Sequence, residues 1–193
     1  MQAENVIAIG SSTGGLVALK EILSQFPENL GAAIIIVQHM PGFISKSVVN
    51  TLQEVTKLRV KLSKEGEILE NNTVYIAPGG DRHLVVNGKK IRLVDGEKVN
   101  FCRPSVDVMM HSIAEEFGER AIGTILTGMG CDGAGGIASI KARGGVTIAQ
   151  DKTTSAVFGM PKAAIDTGKV DSVIPSYKIA SEIIERLNHQ RLT

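Results

Sequence analysis

The chain has 193 residues, of which 43% are hydrophobic and 21% charged, and its 21 Lys and Arg residues balance 20 Asp and Glu residues. This composition is typical of one globular domain and excludes a disordered or fibrous chain. No run reaches the roughly 18 apolar residues of a membrane span. The balanced charge argues against nucleic acid as the main partner. The two cysteines lack CxxC spacing and no secretory signal is visible, so we expect reduced thiols, a cytoplasmic location and no membrane insertion.

The first part of the chain alternates apolar runs with segments of helical periodicity. Residues 6–9 predict a strand, which is followed by a glycine-rich turn over 10–15 and by a helix over 16–26. A continuous β-branched run at 33–37 predicts a strand that is covered on both faces, and a helical segment follows over about 44–56.

The middle of the chain predicts an antiparallel hairpin inserted into this alternation. Residues 60–62 and 73–77 are predicted strands. Two further β-rich runs at 84–86 and 91–94 flank Asn87-Gly88, and this dipeptide is the strongest short-range hairpin signal. We place the turn of the hairpin at these two residues.

The alternation of helices and strands then resumes. Ser105 begins a helix that Gly118 ends. Further predicted strands lie at 122–126, 146–149 and 170–174, and further predicted helices lie at 137–142, 161–167 and 176–192. Strands that alternate with helices indicate βαβ units. We therefore predict an α/β fold with a doubly wound, mostly parallel sheet, helices on both faces and an antiparallel β-hairpin insertion.

The carboxyl ends of the predicted strands are where the chemistry is expected, because open α/β sheets bind their ligands there. Three of these ends combine glycine with polar residues, at 10–15, 38–42 and 127–136. The three loops converge if their strands are neighbours in the sheet, and the sequence alone does not prove that adjacency.

Ser12 is the central residue of a segment, 10–14, that fits the G-x-S-x-G pattern of a nucleophilic serine on a sharp strand-to-helix turn. The N-terminus of the following helix supplies N–H groups and a partial positive charge, which suit an anionic intermediate. The alternative is a structural turn in which Ser11, Ser12 or Thr13 caps the helix. On the pentapeptide alone the two interpretations have equal weight.

His39 directly follows a buried strand, at the end where ligands bind. A neutral imidazole suits a general base that must act on a serine at neutral pH. A lone histidine is more often structural than catalytic, and the rival among the other histidines is His83, which follows a Gly79-Gly80 turn.

Asp132 lies in a loop whose many glycines indicate close approach of the backbone. A carboxylate at this place can orient the imidazole of a triad and stabilise its positive form. The alternative is that Asp132 caps the next helix, and Asp107 and Asp151 are weaker candidates for the same role. In the same loop, Thr127 and the backbone N–H of Met129 can help to shape an oxyanion site.

The order of Ser12, His39 and Asp132 along the chain differs from that of α/β-hydrolases and of two protease classes, which favours a convergent triad on another parallel-sheet scaffold. The sequence has no P-loop, no G-x-G-x-x-G fingerprint and no His/Cys cluster with zinc spacing. With 4% aromatic residues and no tryptophan it offers no stacking platform for bases. We therefore expect no cofactor and no metal.

Six segments make the chain resemble a known family over nearly its whole length. They are Val-Ile-Ala-Ile-Gly-Ser-Ser-Thr-Gly-Gly at 6–15, Gln-His-Met-Pro at 38–41, Tyr-Ile-Ala-Pro-Gly at 75–79, Arg-Pro-Ser-Val-Asp at 103–107, Leu-Thr-Gly-Met-Gly-x-Asp-Gly at 126–133 and Phe-Gly-Met-Pro at 158–161. In this order they are similar to the chemotaxis protein-glutamate methylesterases, the CheB family.

This resemblance implies a serine esterase that removes methyl groups from glutamate γ-methyl esters on chemotaxis receptors and releases methanol. The implied partner is the set of cytoplasmic helices of those receptors. By the same resemblance, Ser12 is the nucleophile, His39 the general base and acid, and Asp132 the orienting carboxylate, whereas Thr13 and Met129 shape the site. The acyl-enzyme route also permits deamidation of receptor glutamines to glutamate.

The chain departs from the family pattern in one respect, since family members usually carry an N-terminal receiver domain. The motifs begin at residue 6, so we expect 1–193 to be a single methylesterase catalytic domain without a receiver domain. It is then either excised from a full-length protein that carries the receiver domain in cis or a stand-alone member. A receptor substrate implies an open cleft, where Arg103 could meet receptor carboxylates, although an internal salt bridge explains Arg103 equally well.

Two other functions stay open at this point. A non-catalytic module would hold an anion in the glycine-rich loops at helix N-termini, with Ser12 as a simple hydrogen-bond donor. A general carboxylesterase or amidase for small substrates would need a deep apolar pocket, which the low aromatic content does not favour.

Overall fold

The computed structural model describes residues 1–192 as a sheet covered by helices, with a separate hairpin. The strands in this range are β1 (Val6–Ser11), β2 (Ala33–Gln38), β3 (Arg59–Leu62), β4 (Thr73–Ile76), β5 (His83–Asn87), β6 (Lys90–Val94), β7 (Ala121–Ile125), β8 (Val146–Gln150) and β9 (Ser172–Ile174). The helices are α1 (Gly15–Leu23), α2 (Ser45–Gln53), α3 (Val106–Phe117), α4 (Ala134–Ala142), α5 (Met160–Asp166) and α6 (Ser176–Leu192), with short 3-10 helices at Gly42–Ile44 and Gly118–Arg120. Each predicted strand and helix is present, and the differences concern where they begin and end.

Seven of the described strands form one sheet in the order β3-β4-β2-β1-β7-β8-β9, and all neighbours in it run parallel. From β1 the chain passes through α1 to β2 on one side, and it later returns to place β7 on the other side of β1. Helix α1 packs on one face of the sheet, and α4, which follows β7, packs on the opposite face. The strand order therefore reverses at β1, and such folds bind ligands in the crevice at this switch point.

Two hydrophobic clusters, one on each face of the sheet, hold the layers together. In β1, Ile7 and Ile9 face the cluster formed with α1, α2 and α6, whereas Val6 and Ala8 face the cluster formed with α3, α4, α5 and the hairpin. This alternation follows from the two-residue period of a strand, and the strands are apolar throughout because both faces are covered. The predicted doubly wound α/β fold with a hairpin insertion is confirmed. Within residues 1–192, no helix has the length and apolar character needed to cross a membrane.

The turn of the hairpin lies one residue later than the sequence predicts. Asn87 pairs with Lys90, so the two turn residues are Gly88 and Lys89, with φ values of +59° and +56°, as a type I′ turn requires. The Glu116 carboxylate in α3 accepts the backbone N–H groups of both turn residues, at 3.0 and 3.1 Å. This contact from a distant helix stabilises a left-handed lysine that local sequence does not indicate.

Candidate active site

The loops that follow β1, β2 and β7 meet at one edge of the sheet, because β2 and β7 are both neighbours of β1. Ser11 pairs with Gln38, so Ser12 and His39 leave adjacent strands side by side, and the His39 N–H donates to the Ser11 carbonyl at 2.9 Å. On the other side of β1, the Ser12 N–H donates to the carbonyl of Thr127 at 3.0 Å. The three strands are therefore neighbours in the sheet, which is the condition under which the three loops converge.

Ser12 lies on a tight turn between β1 and α1. The cap of α1 is Gly14, in the left-handed conformation (φ 79°) and without a side-chain hydrogen bond, so the interpretation in which a serine or threonine caps this helix is wrong. A Cβ atom on Gly128 would lie 2.8 Å from the Cβ of Ser12, so only glycine lets the two loops approach this closely. The half-buried Ser12 hydroxyl makes no hydrogen bond with the rest of residues 1–192, which leaves it available for chemistry.

A buried glutamine, Gln38, ties the loops of Ser12 and His39 together. Its Oε1 accepts a hydrogen bond from the Ser11 hydroxyl at 2.7 Å, and its Nε2 donates to the carbonyls of Ser12 and His39 at 2.9 and 3.0 Å. Gly15 is required beside it, since a Cβ there would collide with the Gln38 amide oxygen. Sequence patterns assign no role to Gln38, and its place next to His39 was the one signal that could have found it.

His39 is oriented by Asp132. Its Nε2 lies 2.8 Å from the Oδ2 of Asp132, and because an ionised carboxylate can only accept, Nε2 carries the ring proton. The lone pair is therefore on Nδ1, which faces the Sγ of Cys102 at 3.7 Å. Burial raises the pKa of the Cys102 thiol to about 11, with the charge of Asp132 adding to the effect, so the thiol keeps its proton at neutral pH. Ser12 and His39 share no side-chain hydrogen bond within residues 1–192.

Asp132 is placed at the start of α3. Its carboxylate, 2% exposed, accepts hydrogen bonds from the Ser105 hydroxyl at 2.7 Å and from the backbone N–H groups of Val106 and Asp107 at 2.7 and 3.1 Å. Burial by itself would raise the pKa of Asp132, but these hydrogen bonds and the one from His39 outweigh it and hold the pKa below its ordinary value. Asp132 is therefore an anion throughout the neutral range, as an orienting carboxylate must be.

The carboxylate at the start of α4 belongs to Asp107, so the alternative in which Asp132 caps that helix is wrong. Asp107 Oδ1 accepts the N–H groups of Gly133 and Gly136 at 3.0 and 2.6 Å, and α4 consequently begins before the predicted residue 137. Asp132, just before α4, thus binds the start of α3, and Asp107, in α3, binds the start of α4. Asn100 joins the pair, since its Nδ2 lies 2.7 Å from Asp107 Oδ2 and 3.3 Å from Asp132 Oδ1.

The lowered pKa of Asp132 predicts how stability depends on pH. A carboxyl group whose pKa is lower in the folded than in the unfolded chain stabilises the fold above its unfolded pKa, and this contribution is lost as the pH falls through the folded pKa. We expect the difference in unfolding free energy between wild type and Asp132→Asn to be constant from about pH 5 to 7 and to shrink below about pH 4. Urea denaturation at each pH measures this difference, and a difference that grows on acidification would contradict the assignment.

Two backbone N–H groups in the loops that follow β1 and β7 are the predicted candidates for holding an oxyanion. Neither Thr13 nor Met129 donates its N–H to a hydrogen bond within residues 1–192. Thr127 links their loops, because its hydroxyl lies 2.9 Å from the Thr13 carbonyl and accepts the Val157 N–H at 2.9 Å. Acyl transfer requires preorganised donors that point at the developing negative charge.

Comparison with known families agrees with this geometry. The family model described as CheB methylesterase matches residues 7–183. The chain belongs to the CheB methylesterase family. The solved structure of the Thermotoga maritima CheB methylesterase catalytic domain is similar to it with a TM-score of 0.90 and 43% identity, over 94% of this chain and 97% of that one.

Curated members of the CheB methylesterase family carry the name protein-glutamate methylesterase/protein-glutamine glutaminase. The relative from Pyrococcus abyssi is 47% identical over 186 residues, which are 94% of this chain and 50% of the relative. The relative from Archaeoglobus fulgidus is 45% identical over 185 residues, which are 94% of this chain and 53% of the relative. The chain thus spans about half the length of these relatives, and the family resemblance carried by the six segments is confirmed.

In this CheB family member, Arg103 and His83 hold the segment that precedes α3. Arg103 donates from Nη1 to the Gly96 carbonyl at 2.6 Å and makes no ion pair within the described residues, so an internal salt bridge does not explain it. His83 Nδ1 accepts the Ser105 N–H at 3.2 Å, and its Nε2 donates to the Glu97 carbonyl at 2.8 Å. Both nitrogens of this buried ring are therefore used by backbone groups, and His83 is not a rival base.

A surface cavity of about 240 Å³ opens beside His39 and is bordered by Phe101, Cys102 and Arg103. A larger cavity of about 330 Å³ lies beside the amino ends of β7 and β8 and contains none of the site residues. Sheets of this type bind ligands at the carboxyl ends of their strands, which excludes the larger cavity and favours the one beside His39, because His39 itself borders it. It is a shallow cleft, which does not favour a general esterase with a deep apolar pocket.

Proposed function

We propose that this chain is a serine esterase that hydrolyses the γ-methyl esters of glutamate residues on chemotaxis receptors. The observation that carries the proposal is the hydrogen-bonded pair of His39 and Asp132 beside Ser12 at the switch point of the sheet. The name protein-glutamate methylesterase of its relatives supports the ester as the substrate. The proposed partner is the cytoplasmic helices of the receptors, which places the reaction in the cytoplasm.

In the first half-reaction, Ser12 Oγ attacks the ester carbonyl while His39 Nδ1 takes the hydroxyl proton. The Nε2–H of His39 stays bonded to Asp132, whose negative charge stabilises the imidazolium. The N–H groups of Thr13 and Met129 bind the oxyanion of the tetrahedral intermediate. The bond between the carbonyl carbon and the methoxy oxygen then breaks, and His39 gives its proton to the methoxy oxygen. Methanol departs, and Ser12 now carries a glutamyl ester.

In the second half-reaction, water attacks the glutamyl ester and gives its proton to His39 Nδ1. Collapse of the second tetrahedral intermediate returns that proton to Ser12 Oγ and releases glutamate. The hydrogen bond from Ser12 to His39 is formed in the complex with substrate, since catalytic hydrogen bonds are often long without it. A carboxamide follows the same route with ammonia as leaving group, so we propose that receptor glutamines are deamidated at the same site, as the second name of the relatives supports.

Methanol release from a methylated cytoplasmic receptor fragment tests this function. We expect the wild-type chain to release methanol and the Ser12→Ala variant to release none. A fluorophosphonate, which reacts with activated serines, should label Ser12, and mass spectrometry of the labelled peptide identifies the residue. Absence of both methanol and label would overturn the esterase in favour of the non-catalytic anion-binding module.

Exposed apolar side chains on the loops of the site suit a protein substrate. Phe43 is 87% exposed in the 3-10 helix that follows His39, Phe101 is 95% exposed next to Cys102, and Met129 is 71% exposed. Aromatic residues and methionine are enriched where proteins bind one another. We therefore propose that these side chains contact the receptor helices.

Replacement of Phe101 by serine should weaken binding of the receptor without changing the chemistry. The expected result is a KM for the receptor fragment raised by about tenfold, the size of effect that a buried interface aromatic commonly has, with an unchanged rate of fluorophosphonate labelling. Tyr177→Ser is the matched control, because this aromatic is 55% exposed at the start of α6. Equal KM increases in the two variants would contradict the proposed contact.

A further inference from the structure

Cys102 lies in the site but takes no part in the proposed reaction. Its Sγ is 3.7 Å from His39 Nδ1, although the two residues are 63 positions apart in the chain. Asp132 belongs to the same cluster, in which one ligand atom of each residue lies within 4.8 Å of the others, but its carboxylate is bonded to the opposite ring nitrogen, Nε2. Thiolate and imidazole are the ligands that Zn²⁺ prefers in proteins.

We propose that a zinc ion binds between Cys102 Sγ and His39 Nδ1 and inhibits the active site. The binding part of this proposal stands on the geometry of the two side chains. The inhibition part rests on the proposed function, because it requires His39 to be the general base.

The distance of 3.7 Å between the two ligand atoms fits one zinc ion. Zinc bonds are about 2.3 Å long to cysteine sulfur and about 2.0–2.1 Å to histidine nitrogen. Two such bonds across the observed 3.7 Å enclose an angle of about 115–120° at the metal, close to the tetrahedral value that zinc adopts. A collision or a wide gap at this pair would have excluded the ion.

The surroundings of His39 also suit a metal ligand. A histidine that binds a metal almost always donates its other ring N–H to a carboxylate or carbonyl group, which fixes the tautomer and the ring. Here Nε2–H is bonded to Asp132, and Asp132 is held in turn by Ser105 and the Val106 N–H. Asp132 lies on the far edge of the ring, so it orients His39 rather than binding the same ion.

Zinc binding and the proposed catalysis exclude each other. The ion displaces the thiol proton of Cys102, which passes to the solvent, and it takes the Nδ1 lone pair of His39. That lone pair is the one that must accept the proton of Ser12 in the esterase reaction. The cavity beside His39 is lined by Cys102 as well, so the ion can enter from solvent, and water can complete the coordination.

Binding is tested first with the metal alone on the metal-free chain. Calorimetric titration should give one Zn²⁺ per chain, and titration with Co²⁺ should give the near-ultraviolet charge-transfer absorption of a cobalt–thiolate bond. In Cys102→Ser and in His39→Ala we expect affinity lower by at least roughly tenfold, since loss of even an outer-shell partner of a ligand lowers affinity about 10–100-fold. The thiolate absorption should disappear in Cys102→Ser.

Cys131→Ser is the matched control. Cys131 is exposed, and its nearest polar partner is Asn100 Oδ1 at 3.8 Å, so this variant should bind zinc as the wild type does. Thermal unfolding of each variant shows that it is folded, and Cys102→Ala serves as a second variant if Cys102→Ser is not. A thiolate absorption that is absent in the wild type, or that persists in Cys102→Ser, would overturn the site.

Inhibition is tested by the rate of fluorophosphonate labelling and of methanol release with and without Zn²⁺. We expect zinc to suppress both rates in the wild type and in Cys131→Ser, and to have much less effect in Cys102→Ser, each protein being compared with its own metal-free rate. Zinc that binds through Cys102 without slowing either reaction would overturn the inhibition. A metal-free chain that neither labels nor releases methanol but binds zinc through Cys102 would instead overturn the proposed function and leave the zinc site.

Discussion

Replacement of Ser12 by alanine is expected to abolish methanol release while leaving the fold intact. Removal of the nucleophile of a serine hydrolase lowers kcat by about 10⁶, and the remaining rate comes from the oxyanion donors and substrate binding. The Ser12 hydroxyl makes no hydrogen bond within residues 1–192. Its loss should therefore change the free energy of unfolding by no more than about 0.5 kcal/mol, the usual range for a substitution that breaks no packing or hydrogen bond.

The neighbouring serine is the control, because the two variants should fail in opposite ways. Ser11→Ala removes the buried hydrogen bond to Gln38 Oε1, and leaving such an acceptor unpaired costs about 1–3 kcal/mol of stability. It retains the nucleophile, so fluorophosphonate should still label Ser12. Methanol assays, labelling and urea denaturation of both variants measure these effects. Near-normal methanol release by a folded Ser12→Ala protein would show that the nucleophile is another residue.

Replacement of Asp132 by asparagine is expected to lower kcat by about 10⁴, the loss that this change causes in a well-studied triad through the wrong histidine tautomer. Here the change also affects folding. The partners of the two carboxylate oxygens are all donors: His39 Nε2–H, the Ser105 hydroxyl, Asn100 Nδ2, and the N–H groups of Val106 and Asp107. An amide NH₂ must face one of them, and an unsatisfied buried donor costs about 1–3 kcal/mol.

The Asp107→Asn variant separates the two roles of Asp132, which are to orient His39 and to accept N–H groups at the start of α3. Asp107 accepts N–H groups at the start of α4 in the same way but does not contact His39. Its Oδ1 accepts two backbone N–H groups of that helix, and its Oδ2 accepts Asn100 Nδ2. An amide can keep its oxygen toward α4 and turn its nitrogen toward a reoriented Asn100. We expect a smaller loss of stability and a kcat within about tenfold of wild type, because Asp107 does not touch His39. Equal losses of kcat in Asp132→Asn and Asp107→Asn would mean that Asp132 only stabilises the start of α3 and does not act through His39.

Short-range signals in the sequence determined the strands and helices and the loops that carry the site. An apolar run, a glycine-rich turn and a helical spacing within 6–26 are enough to place Ser12 between β1 and α1, because burial of one or two faces imposes a period on nearby residues. His39 and Asp132 could be predicted as site residues because they follow predicted parallel strands, whose carboxyl ends lie at the same edge of a sheet. The six family segments then identified the same three residues.

The tertiary structure decided what depends on residues far apart in the chain. The order of the strands brings Ser12, His39 and the Thr127 loop together. Helix α3 supplies the Glu116 carboxylate that shifts the hairpin turn. Three further contacts also join residues that are far apart in the chain. They are the hydrogen bonds of Asp132 and Asp107 to the starts of α3 and α4, the Gln38 bridge, and the approach of Cys102 to His39 Nδ1. Such hydrogen bonds and contacts leave no periodic pattern in the sequence, since they are set by which elements pack against each other, whereas the elements themselves are set by local burial.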